Sequence, residues 1–63
     1  MTKTAFYLDQ IANCEARIAR AEAALAGKGG WPHTAKMTPA QTLVINQQAI
    51  LQRLKWITEI KAA

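Results

Sequence analysis

One cysteine, Cys14, and one histidine, His33, are all that a chain of 63 residues offers to a disulfide or a metal. A lone thiol excludes an intramolecular disulfide, and with only one imidazole beside it no structural zinc site of the usual Cys/His kind can form. Carboxylates are also few: Asp9, Glu15, Glu22 and Glu59 are spread along the chain with no pair at a catalytic spacing. Glycine and proline are absent outside residues 27–39. No stretch approaches the eighteen or more apolar residues of a membrane span, and the opening "MTKTAFYLDQ" lacks the apolar run of a signal peptide. A chain this short also lacks a cleft able to surround a substrate. These absences lead to the expectation of a cytoplasmic protein with no catalysis, no cofactor, no metal, no small-molecule substrate and no membrane association.

A single small domain of this length buries too little apolar surface to be comfortably stable without a staple or a partner. With the staples missing, oligomerisation or binding to something larger remains. The net charge of +4 comes from eight Lys and Arg against four acidic residues, dispersed rather than gathered in a block. Dispersed charge of this kind is usual for a solvated surface, so nucleic acid is the second choice of partner.

What the chain does have is helix signal. Residues 5–26 contain eight alanines and no glycine or proline, and Ile11, Ile18 and Leu25 recur every seven residues. On a helical wheel Tyr7, Leu8, Ile11, Cys14, Ile18, Ala21 and Leu25 form one stripe, large residues alternating with small, opposite Asp9, Asn13, Arg17 and Arg20. Gly27 ends the helix. Thr38 before Pro39 starts a second one, with a capping oxygen and a proline at the first helical position. The expected architecture is all-α: an antiparallel helical hairpin with helices over 5–26 and 39–61 and a Gly-rich loop over 27–38, dimerising into a four-helix bundle.

The second helix has more apolar surface than one neighbour can cover. Leu43, Val44, Ile50, Leu51, Leu54 and Ile57 make a broad face suited to the first helix. The expected hairpin core is therefore Leu8, Ile11, Cys14, Ile18, Leu25, Leu43, Ile50, Leu54 and Ile57. Ile45, Ala49, Trp56 and Ile60 form a second group turned away from that face. They are read as a surface for a homodimer, for a different protein anchored on Trp56, or for both, with Arg53 and Lys55 tuning approach.

The linker "GKGGWPH" is not a phosphate cradle, because its lysine comes before the Gly29-Gly30 pair, with no GxxxxGK spacing and no Ser or Thr directly after it, and it follows a helix rather than a strand. It is a turn whose Trp31 either folds onto the open end of the hairpin or is presented as a binding tip. His33, without a second histidine or a nearby carboxylate, reads as a surface residue. Cys14, between Ile11 and Ile18, reads as a small core residue.

Two families resemble this layout. The opening "MTK", the chain length and the two-helix organisation resemble the Rop-like plasmid copy-number regulators, whose hairpins dimerise into four-helix bundles and bind paired RNA loops; Gly27 to Met37 replace that family's very short turn. Residues Ala23 to Lys28 and Met37 to Leu54 are similar to the small head-tail joining and accessory proteins of tailed phages. The second resemblance implies a phage or mobile-element origin, in host cytoplasm or virion, and work done by contact as an inhibitor, adaptor or assembly factor.

Overall fold

The computed structural model describes residues 2–62. It is all-helical, with α1 over Lys3–Leu25 and α2 over Pro39–Ala62 packed on each other. The two run antiparallel in a body of 44 × 19 × 19 Å, with Tyr7 level with Trp56 and Gln10 level with Arg53.

Local chemistry sets each boundary. α1 begins two residues before the expected Ala5, because the Thr2 hydroxyl accepts from the Ala5 amide at 3.1 Å and caps the first turn. At the other end Gly27 adopts φ +74°, its amide donates to the Ala24 carbonyl at 3.1 Å, and the Lys28 amide reaches back to Ala23 at 2.8 Å. This double closure is the Schellman arrangement, and it depends on a residue that tolerates positive φ. α2 opens with a reciprocal pair. The Gln41 amide donates to the Thr38 hydroxyl at 3.2 Å, and the Thr38 amide donates to the Gln41 side-chain carbonyl at 3.0 Å. Such a capping box satisfies two orphan amides at once. In the loop the Trp31 indole N–H donates to the Met37 carbonyl at 2.9 Å, tying the start of the linker to its end.

The seam between the helices is narrow and partly polar. Cys14 and Ala21 of α1 and Ile57 of α2 are its buried apolar residues, and Thr42 and Asn46 are buried beside them. Ala21 is completely covered, as a small residue at close helix approach should be. Tyr7, Gln10, Ile11 and Ile18 of α1 and Leu43, Ala49, Ile50, Arg53 and Trp56 of α2 are half-buried around this line.

Several expected core positions lie elsewhere. Leu8, Leu25 and Leu54, assigned to the hairpin core, are exposed, as are Val44 and Leu51 of the face assigned to α1. The reason is the composition of α2, whose apolar residues nearly encircle it, so that hydrophobicity alone does not select a facing. The observed facing is the one that seats Arg53 on Gln10 and Trp56 on Tyr7. It turns Thr42 and Asn46 inward and Leu51 and Leu54 outward.

Candidate interaction surfaces

Two antiparallel helices have two broad sides. Each residue turns about 100° from the last, in opposite senses when both helices are viewed from one end. Leu8, Glu15 and Glu22 of α1 therefore emerge on the same side as Leu43, Gln47 and Leu54 of α2, with Val44 and Leu51 at its outer edge. On the opposite side stand Phe6, Asn13 and Arg17 of α1 with Ile45, Ala49 and Trp56 of α2. We call these the leucine side and the tryptophan side.

The tryptophan side carries the expected partner-binding residues of α2. Ile45 and Ile60 are exposed, Ala49 is half-buried, and Trp56 is half-buried with its ring centroid 5.3 Å from that of Tyr7 at an interplanar angle of 46°. Arg53 spends its guanidinium within the hairpin: its Nε donates to Gln10 at 3.1 Å, a terminal N–H donates to Gln52 at 2.8 Å, and its Cζ lies 5.1 Å from the Trp56 ring centroid. The stack of Arg53, Trp56 and Tyr7 holds the indole in one orientation by cation–π and tilted ring contacts.

Beside this stack, at the end of the hairpin away from the loop, is an open cleft of about 320 Å³ lined by Lys3, Tyr7, Trp56, Glu59 and Ile60. It offers an aromatic floor with one cation and one carboxylate at its rim. Trp56 and Ile60 were legible as surface candidates, but Lys3, Tyr7 and Glu59 were not joined to them, because the cleft exists only once the helices are set antiparallel. A second open groove, also about 320 Å³, runs along the outer face of α2 between Ala40, Gln41, Val44 and Ile45 and is wholly apolar at its surface.

The loop is less of a free tip than its composition suggests. Trp31 is half-buried and its only polar atom is engaged by Met37, whereas Lys28, His33 and Lys36 are exposed. No group of three or more His, Cys, Asp or Glu side chains is placed to hold a metal, and no helix is long and apolar enough to cross a membrane, among the described residues. The chain matches no protein-family model, no curated protein and no solved structure.

Proposed function

We propose that this chain is a non-enzymatic protein-binding hairpin of phage or mobile-element origin. It acts in the host cytoplasm or the virion as an inhibitor, adaptor or assembly factor, and it dimerises into a four-helix bundle. One observation supports this reading above the others. Phe6, Leu8, Leu25, Met37, Val44, Ile45, Leu51, Leu54 and Ile60 are exposed large apolar residues, while Ile57 is the one large apolar side chain buried among the described residues. Apolar exposure on this scale marks interaction surfaces rather than scattered solvent-facing residues.

The tryptophan side suits a foreign partner. Its cleft combines a rigid aromatic anchor with rim charges, the mixture that supplies both affinity and orientation at protein interfaces. Capture from host lysate by the tagged chain, after nuclease treatment and at two salt concentrations, tests it. Ile60→Lys places a charge at the cleft without disturbing the seam, and Trp56→Ala removes the anchor. Both variants should lose a defined protein that the parent chain retains at both salts, with helicity unchanged by circular dichroism. Undiminished recovery of the same protein by both variants refutes the assigned surface.

A second reading, binding of RNA in the manner of the Rop-like regulators, has one observation in its favour. Lys3, Arg17 and Arg53 turn toward the tryptophan side, against the single carboxylate of Glu59 at its cleft, while Glu15, Glu22 and Lys61 turn toward the other. Under that reading binding falls steeply with salt and disappears when Lys28, Lys36, Arg53 and Lys55 are neutralised.

A further inference from the structure

The proposed dimer leaves open which side of the hairpin the second copy covers and how the two copies are ordered. Resting on the dimer reading above, we infer that two copies close through their leucine sides, α1 of each against α2 of the other, with both loops at one end of the bundle. The tryptophan sides then face outward and stay free.

Area and shape both call for an occupant of this size. A folded monomer of this chain's mass exposes about 4,000 Å², whereas the hairpin exposes 4829 Å². The excess, roughly 800 Å², is what each partner buries in an interface of standard size. The radius of gyration is 13.9 Å. A compact body of this length would have about 11 Å, and one of twice the length about 14 Å. The hairpin thus already spans the length of a compact two-copy bundle and lacks only its thickness.

Charge and side-chain type choose the side. Closed on itself, the tryptophan side would enclose the charged rim of its cleft, Lys3 and Glu59, together with Arg17, and taking charges out of water opposes association. The leucine side offers Leu8, Leu43 and Leu54, with the half-buried Ile11, Ile18 and Ile50 bordering them, and its charges are Glu15 and Glu22 on α1 and Lys61 on α2. Leu8 is 51 % exposed and Leu54 46 %, so each has a free half to give to a neighbour.

The same charges choose the order. Loops at opposite ends would set α1 against α1, row of glutamates against row of glutamates. A two-fold axis along the bundle instead sets α1 against the second copy's α2 and preserves height, because every residue keeps its level. Leu8 then meets Leu54 of the second copy, and Glu15 meets Gln47, whose amide can donate to a carboxylate. All neighbouring helices are antiparallel, as the up-and-down bundle requires.

Sedimentation equilibrium of the full chain across a concentration series tests the inference, together with Leu54→Lys and Ile45→Lys. The parent should have twice the 6.9 kDa chain mass. Leu54→Lys should weaken the dimer about thirtyfold or more, the range of a buried interface anchor, and Ile45→Lys should leave it unchanged. A parent that stays monomeric, or dissociation by Ile45→Lys and not by Leu54→Lys, overturns the inference. Should Leu54→Lys unfold the chain, thiol cross-linking decides in a Cys14→Ala background. Differently tagged Leu8→Cys and Leu54→Cys chains, mixed and treated with a short bismaleimide, should yield the mixed covalent dimer. Each variant alone should not. Efficient cross-linking of Glu15→Cys to itself would instead place α1 on α1 and overturn the order. A dimer that captures no protein would refute the proposed partner and leave this inference standing; capture by a monomer would do the reverse.

Discussion

Thr42 is the position where a single change should improve the hairpin. Its residue is 6 % exposed, and its hydroxyl oxygen is buried with no hydrogen-bond partner among the described residues. The backbone is already satisfied, since the Thr42 amide donates to the Thr38 carbonyl at 3.0 Å. A desolvated, unpaired hydroxyl costs about 1–3 kcal/mol relative to an apolar group of the same shape. Valine keeps the β-branched outline and the helix propensity while replacing the hydroxyl with a methyl. Thr42→Val should therefore stabilise the fold by about 1 kcal/mol at the lower limit, raising Tm by roughly 4–8 °C for a domain of this size. Thr58→Val is the control. That hydroxyl is exposed and donates to the Leu54 carbonyl at 2.9 Å, so its loss should change stability by no more than about 0.5 kcal/mol. Thermal melts followed by circular dichroism at one fixed chain concentration measure both. An unchanged or lower Tm for Thr42→Val, or an equal gain in both variants, would refute the argument that burial of an unpaired hydroxyl limits the seam.

Glycine and tryptophan positions in the linker give two further expectations. A Cβ at Gly27 meets nothing within 4 Å, so Gly27→Ala should cost only the backbone penalty of φ +74°, about 1 kcal/mol, whereas Gly30→Ala, also in open space and at no positive φ, should be neutral or slightly stabilising. Equal melting temperatures for the two variants would contradict the role assigned to Gly27. Trp31→Phe keeps an aromatic ring but removes the indole N–H that holds Met37, and should lower stability by about 0.5–1.5 kcal/mol; chemical denaturation with an unshifted midpoint would show that the staple contributes nothing.

Much of the fold is legible in the sequence because its signals are local. Gly27, Thr38 and Pro39 punctuate the chain by backbone geometry and capping chemistry that act within one turn, and both helices end within two residues of where those signals place them. The α1 stripe also survives in part: Tyr7, Ile11, Cys14, Ile18 and Ala21 face α2, and only Leu8 and Leu25 leave it. The facing of α2 was not legible. Its apolar residues occupy nearly every direction, so a wheel drawn by hydrophobicity has no preferred sector. The deciding contacts, Arg53 with Gln10 and Trp56 with Tyr7, join residues more than forty positions apart. Two further capping partners, Thr2 and Gln41, also act locally, and the Thr-x-x-Gln spacing from Thr38 to Gln41 is itself a signature of a helix start.

The arrangement of polar and apolar residues on α2 has a consequence for specificity. A helix that is apolar all round can meet a neighbour through any of several faces, and hydrophobic burial rewards each nearly equally. Asn46 and Thr42 break that degeneracy. The Asn46 amide donates to the Thr42 carbonyl at 2.7 Å while both side chains are buried, which satisfies the amide N–H within the helix and lets it enter a seam lined by Cys14 and Ala21. Arg53, one heptad further on, reaches Gln10 across that seam. A leucine face turned toward α1 would forgo the Arg53–Gln10 bond and the Tyr7–Trp56 contact. Polar groups at seam positions characteristically fix register at a cost in stability. In this chain the cost is visible as the unpaired Thr42 hydroxyl, and what it secures is the outward placement of Leu51 and Leu54. The residues that make the hairpin seam a modest one are the same residues that keep an apolar face available for a second chain.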